Sequence, residues 1–213
     1  MNENKKQIID IKLKNTAQAL EKNNFKAYIA NTGEEAVEIL ESLLKKGDVI
    51  GLGGSETLAE LGVVDLCRSP EYNLLERYGQ NLTPEQIDEN LRKALLSDVY
   101  ITSTNAVTEN GELYNVDGRA NRVAAMLYGP LSVVVIAGYN KIVRDLEEAE
   151  MRVKETAAPM NCVRLKRGTP CTVTGKCMDC NSEGRICADK VVMTRQMAKG
   201  RVKVILVAEE LGY

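Results

Sequence analysis

Short apolar segments alternate with longer amphipathic segments along the whole chain, and this order restricts the fold more than any other feature of the sequence. Residues 7–22 place Ile9, Leu13 and Leu20 on one face at helical spacing, whereas residues 131–137 form the Val- and Ile-rich run of a strand that is covered on both faces. Strands that alternate with helices predict a mainly parallel sheet with helices on both faces. The expected fold class is therefore α/β.

Start and stop signals place further elements along the chain. Thr32 with Glu35, and Thr83 with Gln86, have the spacing of a helix capping box. Further helices are expected over residues 56–61, 123–128 and 145–157, and strands over residues 25–30, 48–50, 99–102 and 202–207. Residues 62–82 predict no more than a short strand and a turn.

The length and apolar content of the chain suit one α/β domain with a small appendage. The sequence has 213 residues, of which 44% are hydrophobic, and its composition changes near residue 158. We expect an α/β domain over residues 1–157 and a cysteine-rich metal-binding insertion over residues 158–190. Residues 191–213 are expected to return to the α/β domain as a final strand.

The sequence contains no histidine, which excludes whole classes of chemistry. Ser-His-Asp and Cys-His catalysis, histidine-liganded zinc and histidine acid–base steps are all impossible. Proton transfer must therefore use Asp, Glu, Lys, Tyr, Cys or a cofactor.

The charge balance and the amino-terminal residues bear on partners and location. A net charge of −2 gives no electrostatic argument for nucleic acid or a membrane surface, so neither is expected as a partner. No apolar run in the sequence approaches the ~20 residues of a membrane span, and the polar start lacks the apolar region of a signal peptide. We therefore expect a cytoplasmic protein whose six cysteines are thiols or metal ligands rather than disulfides.

A glycine-rich turn lies between a predicted strand and a predicted helix. Such a turn exposes backbone N–H groups and a helix start, both of which attract phosphate or carboxylate. Its spacing matches neither the dinucleotide-binding fingerprint nor the P-loop. The turn predicts an anion-binding site, with a tight turn that binds nothing as the alternative. The candidate substrate-binding residues are Gly51, Gly53, Gly54 and Ser55.

The polar segment 103–122 follows a predicted strand, where open α/β sheets place their ligand sites. It is dense in side chains that bind or ionise, namely Asn105, Glu109, Asn115, Asp117, Asn121 and Arg122. We expect these side chains to line one cleft with the glycine turn. Without histidine, Glu109 or Asp117 is the expected general base. The alternative is a solvated hairpin in which Asp117 and Arg122 pair and fix a loop.

Two basic residues follow the strand predicted over residues 131–137. Lys141 is a candidate substrate-binding residue because it lies beyond the carboxyl end of that strand. Arg144 either contacts the same anion or is a solvated charge at the start of a helix.

The last of the expected features is a cysteine cluster with the order C-x5-C-x2-C-x6-C. Its candidate metal ligands are Cys171, Cys177, Cys180 and Cys187, with Cys162 as the reserve ligand. A set of thiolates suits zinc or an iron–sulfur cluster. The single C-x2-C pair favours a [4Fe–4S] cluster over structural zinc, and the surplus of Lys and Arg in residues 158–190 favours thiolates. The alternatives are zinc or a set of free cysteines, whereas Cys67 is expected to be a small core residue.

The same segments resemble a known family, the lactate-utilisation (LUD-domain) proteins. The matching stretches are residues 51–55, Leu58, residues 60–62, 103–107, 109–111, 115–118, 121–122, 129–130 and 138–143. The resemblance implies a fold related to the NagB/RpiA/CoA-transferase group. It also implies membership of a system that oxidises lactate to pyruvate, in which other members carry iron–sulfur centres. The cysteine pattern is similar to the tail of a stand-alone subgroup of these proteins.

A shorter resemblance concerns Glu109. Residues 108–111 are similar to a Ser-Glu-Asn-Gly stretch of CoA-transferases, in which the Glu forms a covalent acyl adduct, although Thr108 replaces the Ser.

Two functions are carried forward from the sequence. The first is a cytoplasmic component of lactate or organic-acid utilisation, which binds a small anionic substrate and a Cys-ligated iron–sulfur cluster for redox or Lewis-acid chemistry. The second is a non-catalytic accessory or assembly subunit with a structural four-cysteine zinc site. The expected partners are iron–sulfur or oxidoreductase subunits, and a homodimer is left open.

Overall fold

The computed structural model describes residues 2–79 and 81–213 and contains two sheets. The strands are β1 Lys26–Ala30, β2 Val49–Leu52, β3 Asn73–Leu74, β4 Val99–Thr102, β5 Ala106–Thr108, β6 Leu113–Asp117, β7 Ser132–Gly138, β8 Ile142–Val143, β9 Asp189–Met193 and β10 Val202–Val207. The larger sheet has the order β1-β10-β7-β4-β2-β3, and each neighbouring pair in it is parallel. The predicted mainly parallel sheet is confirmed.

Helices connect most of these strands. They are α1 Glu3–Lys22, α2 Gly33–Leu43, α3 Glu56–Glu60, α4 Val63–Cys67, α5 Pro84–Lys93, α6 Asn121–Leu127, α7 Leu146–Arg152, α8 Ala158–Arg164 and α9 Cys171–Thr174. The helix expected over residues 145–157 is not one α-helix, because α7 gives way to a π-helical turn at Val153–Ala157 that leads into α8. Within residues 2–79 and 81–213, no helix is both long enough and apolar enough to span a membrane.

Strand β7 shows why the sheet must be covered on both faces. Val133 and Val135 point into an apolar cluster that includes α1, whereas Val134 and Ile136 point into a second cluster that includes α2. All four side chains are fully buried. Because successive side chains of a strand point to opposite faces, an uninterrupted apolar run requires packing on both sides.

The two expected capping boxes differ in detail. At α5, Thr83 and Gln86 form the complete reciprocal box. At α2, Thr32 accepts from the backbone N–H of Glu35, but the Glu35 carboxylate accepts from the backbone N–H of Asn31, one residue earlier than a capping box requires. Both helices begin where the sequence predicts.

The smaller sheet has the order β8-β5-β6-β9. The hairpin expected around residues 110 and 111 is present as the antiparallel pair β5 and β6. Strand β9 was not expected, and it pairs with β6 in antiparallel register, with Asp189 opposite Asp117. The cysteine-rich segment is therefore bracketed by α8 and by a strand of the smaller sheet.

Candidate functional site

A cavity of about 370 Å³ lies beyond the carboxyl ends of three neighbouring strands of the larger sheet. Gly54 and Ser55 follow β2, residues 103–105 follow β4, and Lys141 follows β7. Open α/β sheets bind ligands at this edge because the loops that leave the strands diverge there. The other walls come from Arg77 and Tyr78, the end of β6, the start of α6, the cysteine-rich segment and Tyr213.

The cavity is strongly cationic. Six basic side chains and two acidic ones line it, namely Arg77, Arg119, Arg122, Lys141, Arg164 and Arg167 with Glu56 and Asp117. Arg122 pairs with Asp117 at 2.8 Å, Arg164 pairs with Glu56 at 3.5 Å, and Arg119 pairs with Asp88. The side-chain nitrogens of Arg77, Lys141 and Arg167 have no carboxylate oxygen within 4.0 Å in the described part of the chain. The charges of Arg77 and Arg167 are available to an anion in the cavity.

Arg122 holds the walls of the cavity together. Its guanidinium donates to five protein acceptors at 2.5 to 3.2 Å, which are Asp117 Oδ1, Ser103 O, Asn115 Oδ1, Asn105 Oδ1 and Val116 O. A guanidinium has five N–H donors, so these contacts occupy its full capacity. Arg122 is also only 8% exposed. It fixes the end of β4 against the end of β6 and keeps no donor for a ligand.

Asp117 is held by the same network. One carboxylate oxygen accepts from Arg122, and the other accepts from the backbone N–H of Val123 at 3.1 Å. The sequence left open whether Asp117 and Arg122 act on a substrate or pair to fix a loop. The contacts have the geometry of the second alternative, since both oxygens of Asp117 accept hydrogen bonds that fix the loop.

Glu109 lies outside the cavity, as does Asn115. The turn between β5 and β6 points away from the cavity and packs on the end of α1, where Asn23 donates to the carbonyl oxygens of Asn110 and Gly111. Glu109 pairs with Lys12 at 3.2 Å on this surface. Of the six polar side chains expected in one cleft, Asn105, Asp117, Asn121 and Arg122 line the cavity. An acyl adduct at Glu109 would form away from these residues.

The glycine turn contributes less to the cavity than its sequence suggests. The N–H of Gly53 donates to Ile101 O at 2.9 Å, and a Cβ on Gly53 would lie 2.3 Å from Thr102 Oγ1. A Cβ on Gly51 would lie 2.8 Å from the Ala94 side chain. These two glycines are required by packing. Only Gly54 and Ser55 of the turn line the cavity.

Lys141 is the most deeply buried amine of the cavity, with 2% exposure. Its Nζ donates to Thr57 Oγ1 at 2.8 Å and to Ser103 Oγ at 3.1 Å. Burial, together with the nearby charges of Arg152 and Arg122, lowers the pKa of Lys141 from 10.5 to about 7, against a smaller opposing effect of Glu60. Without histidine, this lysine is the cavity group that titrates near neutral pH.

For Arg144, the structure favours the second of the two roles that the sequence left open. Its side chain is 75% exposed and pairs with Glu148 at 3.1 Å, so it is a solvated charge at the start of α7.

Some cavity residues carry no sequence signal. Arg77 and Tyr78 come from the stretch for which the sequence predicts only a short strand and a turn, and Arg77 donates to Leu52 O at 3.1 Å. Arg164 and Arg167 belong to the cysteine-rich segment, whose basic surplus was interpreted as favouring thiolates rather than as part of a cavity wall.

The cysteines of this segment do not converge on one point. Within residues 2–79 and 81–213, no group of three or more His, Cys, Asp or Glu side chains is arranged to hold a metal ion. Cys162 and Cys171 are buried within hydrogen-bonding range of each other. Burial and the neighbouring thiols of Cys171 and Cys187 raise the pKa of Cys162 to about 11. The reserve ligand Cys162 thus lies next to Cys171. Cys177 and Cys180 are less buried than these two residues.

The cysteine-rich segment nevertheless borders the cavity. Asn161 and Arg164 flank Cys162, and Ile186 precedes Cys187, and all three of these neighbours line the cavity wall. A metal centre formed by this segment would therefore lie beside the cavity.

The chain is similar to one protein family over most of its length. The sequence model of the LUD domain matches residues 13–207. Curated protein sequences give no significant match. Among solved structures, a DUF162 family protein from Deinococcus radiodurans has 15% sequence identity and a TM-score of 0.49, over 95% of this chain and 98% of that chain. The eIF2B beta structure from Chaetomium thermophilum has 16% identity and a TM-score of 0.39, over 55% of this chain and 44% of that chain.

Proposed function

The chain belongs to the LUD domain family, and from this premise we propose that it is a cytoplasmic component of lactate or organic-acid utilisation whose cavity binds a small carboxylate. The observation that carries the proposal is the set of cations in the cavity without carboxylate partners. Arg77 and Arg167 are placed there in a protein whose net charge is −2, and Lys141 adds a charge when its amine is protonated. Cations gathered against the overall charge of the protein favour an anionic ligand at that place.

Polar groups beside these cations suit a carboxylic acid. The side-chain oxygen of Asn105 accepts from Val116 N and from Arg122 Nη2, which fixes the orientation of the amide. Its NH2 group donates to no residue in the described ranges and borders the cavity. Charged and amide donors of this kind orient a carboxylate by directed hydrogen bonds.

We propose further that the cysteine-rich segment takes up an iron–sulfur cluster of the [4Fe–4S] type, with zinc as the alternative. The chemistry of the donors fits, since several thiols lie on one basic segment without competing histidines. Their arrangement in this structure does not fit, because the thiols of Cys171, Cys177, Cys180 and Cys187 would have to move together to close around one centre. Arg77 and Lys141 lie outside this segment, so their place in the cavity does not depend on the cluster.

Calorimetric titration of the purified protein with lactate and with pyruvate tests the anion site. We expect at least one of the two acids to bind, and Arg77→Ala to weaken binding about tenfold or more, because a hydrogen-bonded charge is removed. Arg144→Ala is the matched control, since this arginine is exposed and paired outside the cavity. Absence of binding by both acids would overturn the proposal.

Metal analysis of protein purified without oxygen tests the cluster. Iron and acid-labile sulfide with a broad visible absorption are expected. Stoichiometric zinc without iron would favour the accessory subunit with a structural zinc site. Protein that contains neither iron nor zinc would overturn metal binding by this segment. The anion site would then remain as the basis of the proposed function. Co-purification of oxidoreductase or iron–sulfur subunits under the same conditions would identify the expected partners.

A further inference from the structure

The hydrogen bonds around Lys141 define which protonation state the fold accommodates. Thr57 Oγ1 donates its own proton to Leu211 O at 3.1 Å, and Ser103 Oγ donates to Thr104 O at 3.4 Å. Both hydroxyl oxygens therefore accept from Nζ, at 2.8 and 3.1 Å. The two contacts use two N–H bonds and leave the remaining position of the nitrogen without a protein partner in the described residues.

The protein contacts match a neutral amine, whereas an ammonium would direct its third N–H toward the cavity. A neutral amine has two N–H bonds, both donated here, and one lone pair, whereas an ammonium has a third N–H that needs an acceptor. No carboxylate lies within 4.0 Å of Nζ in the described part of the chain. The side chain lines the cavity, so a ligand bound there can lie next to the amine.

The geometry points to Lys141 as a nucleophile whose amine condenses reversibly with the carbonyl carbon of a 2-oxo acid bound in the cavity, forming an imine. This inference rests on the proposed function, because the cavity must first hold an organic acid. It narrows the ligand to an acid that carries a carbonyl next to its carboxylate. Imine formation by a desolvated lysine is one of the established forms of covalent catalysis in proteins.

The step is balanced without an oxidant or a reductant. The nitrogen lone pair forms a bond to the carbonyl carbon, and the carbonyl oxygen takes one proton from the amine to give a carbinolamine. The carbon–oxygen bond then breaks, and the hydroxyl leaves as water with the second amine proton, which gives the C=N bond. Ser103 Oγ, at 3.1 Å from Nζ, is placed to pass these protons.

The electrostatics of the site support the geometry. The charged groups that act on Lys141 are Arg152, Arg122 and Glu60, and the two arginines together with burial lower its pKa to about 7. The neutral form is therefore much more populated at pH 7 than it is for an ordinary lysine, whose pKa is near 10.4. The carboxylate of the 2-oxo acid meets the cations of the same cavity, which places its carbonyl beside the amine.

Reductive trapping tests the inference on the wild-type protein. The protein is incubated with pyruvate and sodium borohydride, and the adduct is located by peptide mass spectrometry. We expect a reduced pyruvyl adduct on Lys141, and no adduct when lactate, which has no carbonyl, replaces pyruvate. Lys203 is the internal control, because burial also lowers its pKa but it lies at the amino end of β10, bonded to Ser132 and away from the cavity.

The pH dependence of trapping separates Lys141 from a generally reactive surface. Its rate is expected to level off above pH about 7, where the amine is already neutral. An ordinary lysine continues to gain about tenfold per pH unit up to its pKa near 10.4. A trapping rate that rises evenly from pH 7 to 10 would contradict the inference.

The outcomes distinguish this inference from the proposed function. Pyruvate that binds in the calorimeter but leaves Lys141 unmodified overturns the nucleophile and leaves the anion site intact. Failure of both lactate and pyruvate to bind overturns the proposed function itself. Lys141→Arg removes the nucleophile, so it should give no adduct at this position. If that variant does not fold, the wild-type peptide map still decides.

Discussion

Burial of Lys141 links its protonation to the stability of the fold. Its pKa is about 7 in the folded protein and 10.5 as its ordinary value. Between these values the unfolded chain carries one more proton than the folded protein, so the free energy of unfolding rises with pH, by up to about 1.4 kcal/mol per unit. Below pH about 7 both states are charged and this dependence disappears.

Lys141→Met should remove that dependence. We expect the variant to gain stability relative to the wild type near pH 7, because a desolvated charge is gone, and to lose the advantage as the pH rises toward 10. Urea unfolding of both proteins at several pH values measures the difference. Parallel stability curves for the two proteins would show that Lys141 titrates as an ordinary lysine.

Arg122 is predicted to matter for folding rather than for ligand contact. Arg122→Met leaves Asp117 buried without its cation and should lower the free energy of unfolding by about 3–5 kcal/mol. Arg68→Met removes surface pairs with Glu76 and Asp65 and should change stability by no more than about 1 kcal/mol. Chemical unfolding of the two variants makes the comparison. A stable Arg122→Met protein that only fails to bind acids would return Arg122 to the substrate-binding residues.

The two glycines of the turn should respond differently to the same substitution. In Gly53→Ala the new Cβ would overlap Thr102 Oγ1, at 2.3 Å, and overpacking of this kind costs about 1–3 kcal/mol. In Gly54→Ala the nearest atom is the flexible end of Arg77, at 3.4 Å, so stability should be close to that of the wild type. Thermal unfolding distinguishes the two cases, and equal melting temperatures would contradict the packing argument.

Residue types at the site were predictable from the sequence, and their bonding was not. Segment 103–122 predicted a ligand site beyond a strand, and Asn105 and Asn121 do line the cavity there. The sequence could not count acceptors, so it did not reveal that Arg122 is fully occupied by protein groups. The sequence also favoured carboxylates as general bases, because it could not show that Lys141 is buried. That burial depends on parts of the fold that are distant in the chain, such as Thr57 of α3.

Elements with a local signal were predicted well. Strands β4 and β10 begin and end at the expected residues, because each is an apolar run bounded by polar turns. Strand β9 has no such signal, since four of its five residues are exposed or half-buried and its partner β6 is far away in the sequence. The π-helical turn after α7 also has no sequence signal, because it is a local departure from helical spacing within a helical pattern.

Metal binding by the cysteine-rich segment can be tested at a single residue. Cys171→Ala should lower the metal content of protein purified without oxygen, because Cys171 belongs to the expected ligand set. Cys67→Ala is the matched control, since Cys67 lies in the apolar core, where burial raises its thiol pKa to about 12 and keeps it protonated. Metal analysis of both variants measures the effect. Equal metal loss in the two would indicate general destabilisation rather than a lost ligand.

At the scale of the whole molecule, basic side chains are concentrated in one place, although the net charge is small. The chain is slightly acidic overall, yet basic side chains from distant segments meet at one edge of the larger sheet. Arg77 precedes α5, Lys141 follows β7, and Arg167 lies between α8 and α9. No single segment has this composition, so neither net charge nor a local pattern could predict the positive charge of the cavity.

Salt should reveal how these cations divide the binding of an acid. Arg167 is exposed and Arg77 is half-buried, so screening weakens the contribution of Arg167 more. We expect Arg167→Ala to weaken pyruvate binding at about 0.1 M salt and to have little effect at about 1 M, where the Debye length is about 3 Å. Arg77→Ala should weaken binding under both conditions, because Arg77 donates to Leu52 O and is held in place beside Gly54. Calorimetry of the two variants and of Arg144→Ala at both salt concentrations gives the comparison. Equal salt dependence of Arg77→Ala and Arg167→Ala would mean that the cavity attracts acids by its overall field and does not hold them at a fixed position.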